Sequence, residues 1–435
     1  MIVIQLLIGF ILLFLILRWP YLGIVFTTAS LLVVDLLPQV SVATSVVPII
    51  GGITIVGLLF HKKKEYGKPL FRFENVHILA LLYIGWIFIT NPQAAWFGIG
   101  RNWLITYIQL WIFVWMTGEL LDTPKKHHVL MWVYSIVAVI SALVTIQQGK
   151  IESALYKGSR GEGFVDDPNI AAQYYIVGML FLNYLRTIVK KPLPRLLVIG
   201  GMIVTFLGVF FTISRTGILI IFITLGLLVL MNPGLKHKLQ LIIMFLIGLI
   251  TTWLFSDNII VFLKGIIPSI VNATDTVGLR YSLWITGWRM WVDNPVQGVG
   301  VGMYSLNLAK YGLDLLPHDI IVKGTVTHNM YIQVLAETGF VGFALFMFLI
   351  LKSLQNIWRA GRTGDPNTIS LRNVWLVVFL VMLIGGITLS SQYDKLVWFV
   401  MGVSIYFRKL VRESTSRNFM NEQRESSITE NFPQL

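Results

Sequence analysis

Four side chains, Arg160, Arg215, Arg280 and His328, stand out because their types fit one kind of chemistry. Arg160 lies in Gly158-Ser159-Arg160-Gly161-Glu162-Gly163-Phe164, shortly before Asp166-Asp167-Pro168-Asn169. Arg215 sits in Ser214-Arg215-Thr216-Gly217, between two apolar runs, and Arg280 opens a Trp-rich segment. His328-Asn329 closes a long polar stretch ahead of another apolar run. A guanidinium is always charged and forks onto phosphate oxygens. Several together suit a pyrophosphate, stabilising the charge that grows as it leaves. A neutral imidazole suits a general base that takes a proton from an attacking hydroxyl. The expected chemistry is transfer of a sugar from a lipid pyrophosphate, with neither metal nor cofactor. Asp166 and Asp167 are adjacent rather than spaced as a carboxylate-x-carboxylate pair, and the seven histidines form no ligand cluster. The absence of cysteine removes thiolate nucleophiles, disulfides and Cys-ligated metals. Singly, each residue has a plainer reading: Arg215 as a snorkelling helix end, Arg160 as a solvated loop residue, Arg280 as an interfacial anchor, His328 as a neighbour of a helix cap.

The elements that must position these residues are hydrophobic. The chain has 435 residues, 56% of them hydrophobic and only 13% charged, with a mean hydropathy of +0.75. Soluble domains carry about 25% charged residues, so a soluble, fibrous or disordered chain is excluded. Residues 39–60, 75–100, 129–149, 196–214, 216–235 and 373–393 contain no Asp, Glu, Lys or Arg. Roughly 20 apolar residues cross a bilayer as a helix, and the alternation of transmembrane strands is missing. The fold class is therefore all-α, a polytopic transmembrane bundle, because each span must satisfy its backbone internally. No Lys or Arg precedes Arg18, so the basic start of a signal peptide is missing and residues 1–17 read as a retained membrane segment.

The net charge of +13 lies mostly in short loops, the positive-inside pattern rather than a nucleic-acid footprint. Basic loops at 61–64, 125–126, 186–195, 236–238, 352–372 and 408–417 mark the cytoplasmic side. Alternation from these anchors predicts spans near 75–92, 103–121, 129–148, 169–187, 195–213, 214–231, 238–256, 331–353, 373–391 and 393–408. Arg160, Arg215, Arg280 and His328 then share the external face. An Arg near hydrocarbon on that face is disfavoured by about 2.5–3.5 kcal/mol on insertion scales, which makes Arg215 the most informative of the four. Residues 1–60 hold three hydrophobic stretches, 1–17, 21–37 and 43–60, broken at Arg18-Trp19-Pro20 and at Pro38. Counting one of them as merged or re-entrant gives about twelve helices.

The expected organisation is a transmembrane region over 1–255, a large external loop over 256–330, C-terminal transmembrane helices over 331–411 and a disordered cytoplasmic tail over 412–435. Loops this long are usually functional. Within it, Tyr281, Trp284, Trp288 and Trp291 recur on one helical face, predicting an amphipathic helix over 276–292 on the outer leaflet. The alternative is a Trp-rich helix in the core of a small cap. Gly298-Val299-Gly300-Val301-Gly302 follows Asn294-Pro295 rather than a strand and matches neither nucleotide motif. It reads as a tight turn through which the chain re-enters the membrane.

These motifs, in this order, resemble the O-antigen ligase/polymerase superfamily of bacterial membrane glycosyltransferases. The resemblance rests on Ser214-Arg215-Thr216-Gly217, Arg280-Tyr281-Ser282-Leu283-Trp284 and Asn294-Pro295-Val296-Gln297-Gly298-Val299-Gly300. It closes with His328-Asn329-Met330-Tyr331 and Glu337-Thr338-Gly339-Phe340-Val341-Gly342. It implies about twelve helices in a GT-C-like arrangement with a large external loop. It also implies an undecaprenyl-pyrophosphate-linked oligosaccharide donor, a glycan or glycolipid acceptor and metal-independent inverting transfer in the cytoplasmic membrane. By motif match Arg215 and Arg280 would hold the pyrophosphate and His328 would activate the acceptor hydroxyl, with Arg160 a further substrate-binding residue. Ligases, polymerases and protein-glycosylating relatives share the signature, and fold likeness does not separate their acceptors. Two other classes compete: a transporter or flippase of lipid-linked oligosaccharide, and a non-catalytic assembly protein. Against the first stand the lack of paired repeats and the one-sided loop; in the second, His328 would be dispensable.

Overall fold

The structure, a computed structural model, describes residues 2–36, 46–64, 73–90, 98–155, 161–165, 167–231, 276–363 and 365–431, with isolated positions at 239, 242, 243 and 246. Arg160, Asp166, most of the span expected at 238–256 and the first part of the long loop lie outside these residues. The described residues are predominantly helical and contain no strand. Their helices are α1 (Ile2–Arg18), α2 (Tyr21–Ser30), α3 (Val46–Lys64), α4 (Asn75–Thr90), α5 (Ile99–Leu120), α6 (Pro124–Leu155), α7 (Pro168–Ile188) and α8 (Pro192–Phe211). After them come α9 (Arg215–Met231), α10 (Thr276–Asp293), α11 (Leu308–Tyr311), α12 (His318–Lys323), α13 (Met330–Arg359), α14 (Pro366–Gly385) and α15 (Lys395–Asn431). The chain is a polytopic helical membrane protein.

Four described helical stretches are long and apolar enough to cross a membrane: Pro124–Gly149, Pro192–Phe211, Met330–Arg362 and Pro366–Gly385. Asn75–Thr90 and Arg215–Leu230 are further apolar helices, with 16 residues each among the described residues. Helix α7, by contrast, is enclosed by protein: Ala171 through Arg186 are all buried, packed against α6, α8, α9 and α14. A helix that faces other helices need not be compatible with lipid and can carry Gln173, Asn183 and Arg186 inward.

A single core joins these elements, with Tyr83, Tyr107, Tyr134, Phe181, Trp375 and Phe399 among its fully buried rings. The hydrophobic stretch expected at 21–37 is not one full helix. α2 has ten residues, about 15 Å at 1.5 Å per residue, and continues as a 3-10 helix with a kink at Val33. The break at Arg18-Trp19-Pro20 separates α1 from α2 as expected. The tail expected to be disordered from residue 412 is helical as far as Asn431, a continuation of α15 that hydrophobicity alone does not signal.

The described part of the long loop builds a small cap with its own core of Leu283, Met290, Tyr304, Leu308, Tyr311 and Leu316, closed by Ala336 of α13. α10 matches the helix predicted at 276–292, but its aromatic residues do not share one environment. Tyr281 and Trp288 are 60% and 52% exposed, whereas Trp284 turns inward and donates its indole N–H to the Thr327 carbonyl at 3.0 Å.

Helix α13 is broken at Gly339, whose φ of 66° and ψ of −170° lie in a region essentially reserved for glycine. A break inside a membrane helix frees backbone groups that lipid cannot satisfy. Here the freed groups find partners. Val299 N–H donates to Ala336 O at 2.9 Å, Gly300 N–H to Glu337 O at 2.9 Å, and Phe340 N–H to Pro295 O at 2.8 Å. The Trp86 indole of α4 donates to Thr338 O at 2.9 Å. The close approach requires glycine on both sides. A Cβ on Gly298 would meet the Glu337 backbone, and one on Gly339 would meet the Val296 carbonyl. The Gly-rich turn and the Glu-Thr-Gly motif are thus two halves of one lock.

Candidate active site

The site forms where three helix N-termini meet. Asp167 caps α7, its Oδ1 accepting from Asn169 N at 2.6 Å and Ile170 N at 3.4 Å, with Pro168 in the first turn. Ser214 caps α9: its Oγ accepts from Gly217 N at 2.9 Å and donates to Asn169 Oδ1 at 2.7 Å. Asn169 thereby ties the start of α7 to the start of α9, and its own amide returns to Asp167 Oδ1 at 2.9 Å. Asn329 caps α13, its Oδ1 accepting from Tyr331 N and Ile332 N, both at 3.0 Å. Helix N-termini present unpaired N–H groups and a positive dipole end, which favours an anion between them.

The charged residues gather on this frame. Arg280, in the second turn of α10, donates through Nη1 to Thr216 Oγ1 at 3.5 Å, so it stands beside the residue that follows Arg215. Arg215 is the first residue of α9 and is exposed. His328 lies within the electrostatic reach of both Arg280 and Asp167. Burial first, and then the Arg280 charge, lower its affinity for a proton from the ordinary 6.5, while Asp167 pushes the other way. The imidazole is therefore neutral at neutral pH, with a lone pair available to accept a proton.

The backbone at the site is held in unusual conformations. Ile213 and His328, with φ of 51° and 50°, are the non-glycine residues of positive φ among the described residues. One precedes Ser214-Arg215 and the other is the candidate base. Such conformations cost on the order of 1–3 kcal/mol and persist only where the surroundings hold them. Around His328 the hold is visible. Thr327 O accepts from Trp284, and Thr327 N–H donates to Gln333 Oε1 at 3.0 Å. Met330 N–H donates to Gly386 O of α14 at 2.7 Å. Gln333 accepts further from Ser390 Oγ at 3.0 Å and donates to Glu337 Oε1 at 2.9 Å.

Of the residues singled out by sequence, the structure brings together Arg280, His328 and the Ser-Arg-Thr-Gly turn that carries Arg215. Sequence reasoning missed Asp167 as a cap whose charge also reaches His328, Asn169 as the α7–α9 tie, and Trp284, Gln333 and Glu337 as supports. The Asp-Pro pair was a legible helix start; the other roles depend on long-range contacts.

The model of one protein family, described as O-antigen ligase, matches residues 200–347. This stretch runs from α8 to α13 and contains Arg215, Arg280, His328 and both halves of the glycine lock. This match, over about a third of the chain, supports a relation to the O-antigen ligase/polymerase superfamily. The matched region supports a membrane enzyme of O-antigen ligase or polymerase type, a family whose partners are a lipid-linked glycan and an acceptor. The chain has no significant match among curated proteins.

Proposed function

We propose that the protein is a membrane glycosyltransferase that polymerises or ligates undecaprenyl-pyrophosphate-linked glycan on the outer face of the cytoplasmic membrane. The observation that carries this reading is the meeting of Arg280, the Arg215 turn and a neutral His328 at the N-termini of α7, α9 and α13. Arg215 and Arg280 hold the donor pyrophosphate, aided by the positive helix ends; Arg160 is proposed as a further donor contact. His328 takes the proton from an acceptor hydroxyl as its oxygen bonds to the anomeric carbon. The bond from that carbon to the phosphate oxygen breaks with its electron pair, inverting the centre. The departing lipid pyrophosphate carries the negative charge that the guanidiniums stabilise. The charge of Asp167 reaches His328 and stabilises the imidazolium that forms.

The test uses protein in nanodiscs with radiolabelled undecaprenyl-pyrophosphate oligosaccharide and compares Arg215→Lys, Arg280→Ala and His328→Ala. The two arginine variants are expected to weaken donor use, since Lys lacks the fork, and the His variant to stop transfer. A ladder of products from donor alone indicates polymerase activity. A donor that stays intact until a second acceptor is added indicates a ligase. Saturable donor binding without turnover under any acceptor would replace this reading with a transporter.

A further inference from the structure

A cavity of about 110 Å³ lies beside the His328 segment. Its lining includes Trp103 and Tyr107 of α5, Gln333 and Glu337 of α13, and Gln392 and Tyr393 ahead of α15. A dry cavity of about 150 Å³ takes up one benzene ring, so this smaller one takes part of a single ring rather than a longer glycan. Its wall combines aromatic faces with amide and carboxylate groups. Trp103 and Tyr393 stand with ring centroids 4.5 Å apart, and Gln333 and Glu337 are hydrogen-bonded to each other at 2.9 Å. The pairing of apolar ring faces with fixed polar groups is what a sugar needs, because its C–H face is apolar and its rim is hydroxyl.

One group in the wall is left without a partner. Gln392 is 1% exposed, and its side-chain Oε1 makes no hydrogen bond. A buried acceptor left unmade is costly, so its presence at a polar cavity points to a hydroxyl donor that arrives from outside. The location adds a second argument. Val326 lines the cavity, Thr327 is fixed by Gln333 at 3.0 Å, and His328 follows. Val326 and His328 Cα atoms are thus at most about 7 Å apart. The arginines belong to α9 and α10, whereas the cavity is lined by α5, α13, the residues before α15 and the cap residues Val301, Gly302 and Ser305. The cavity wall thus lies two residues along the chain from the imidazole.

We propose that this cavity is a subsite for one sugar ring of the acceptor, with Gln392 accepting a hydroxyl hydrogen bond and Gln333 and Glu337 setting the ring's orientation. The proposal rests on the transfer reading above and adds the chemical class and place of the acceptor. Gln392→Met keeps the side chain's length and removes the unpaired oxygen. It is expected to raise the thermal midpoint, because an unpaired buried amide is lost, while weakening sugar binding. Val326→Phe fills the space by a different route, so the test does not depend on one variant.

The experiment is saturation-transfer NMR on the full protein in nanodiscs with methyl glycosides of glucose, galactose, N-acetylglucosamine and rhamnose. At least one glycoside is expected to give a saturable signal in the unaltered protein and in His328→Ala, and to lose it in Gln392→Met and Val326→Phe. In the transfer assay, Gln392→Met is expected to raise the acceptor KM at least tenfold and to leave the donor KM unchanged. No saturable signal from any glycoside, or an undiminished signal in both variants, overturns the subsite. Variant-sensitive sugar binding in a protein that never transfers glycan would sink the transfer reading and keep the cavity as a sugar site.

Discussion

Replacing Trp284 by Phe tests how the proposed base, His328, is held. The Trp284 indole donates to Thr327 O at 3.0 Å, one residue before His328 with its φ of 50°. A non-glycine residue in that region costs on the order of 1–3 kcal/mol, so the segment stays in place only while its neighbours oppose the strain. Phenylalanine keeps an aromatic ring and loses the donor. One hydrogen bond of this kind contributes about 0.5–1.5 kcal/mol net, comparable with the strain it opposes. At 1.4 kcal/mol per tenfold, the held conformation loses roughly two- to twelvefold in population. The assay is steady-state transfer in nanodiscs with donor and acceptor varied separately. A two- to twelvefold fall in kcat is expected with the donor KM unchanged, since neither arginine is altered. Trp288→Phe is the control, because Trp288 is 52% exposed and packs edge-on against Trp291. Equal losses in the two variants, or full kcat in Trp284→Phe, would refute the account of how His328 is positioned.

Three further outcomes are expected. Burial and Arg280 hold His328 below its ordinary 6.5, so Arg280→Gln moves its titration midpoint up and Asp167→Asn moves it down, as read by NMR of labelled histidine with His328→Gln for assignment. The same shift has a stability consequence of definite sign. The unfolded imidazole binds a proton more readily, so this group's stabilisation is present above about pH 6.5 and declines as pH falls below it, which thermal melts across that range check. Gly339→Ala and Gly298→Ala each insert a Cβ into the facing backbone and each cost at least about 1 kcal/mol of stability in strain, read as a lower thermal midpoint. Because they break one lock, the double variant is expected to lose less than the sum. Ser214→Ala removes the α9 cap and the Asn169 tie, and a loss of about 0.5–2 kcal/mol in chemical unfolding, with weaker donor binding, is the expected reading.

Much of the helical layout was legible in the sequence because lipid imposes a simple rule on length and charge. The expected spans at 169–187 and 195–213 correspond to α7 (Pro168–Ile188) and α8 (Pro192–Phe211), and Asp167-Pro168 marks the start of the former through capping chemistry. Arg215, Arg280 and His328 stand out as candidates for a related reason, that charge in an apolar chain is sparse, while Arg160 lies outside the described residues. What periodicity does not encode is which partner a residue meets. Trp284 and Trp288 fall on one predicted face, yet one supports Thr327 and the other stays exposed, because the cap core of Leu283 and Met290 rotates the helix against α13. Gly298 reads as part of a local turn and Gly339 only as a motif residue, while their need for glycine arises from each other across 41 positions of sequence. Glu337, within an apolar run, gave no sign that it would be drawn to Gln333 and the cavity.

The central claim, that His328 is the base of a lipid-pyrophosphate glycosyl transfer, is tested most directly by measuring release of undecaprenyl pyrophosphate alongside donor binding in unaltered protein and in His328→Ala. Donor binding within about twofold of the unaltered protein, with release of lipid pyrophosphate abolished, is the result the account predicts. Continued release at the full rate by His328→Ala would contradict it.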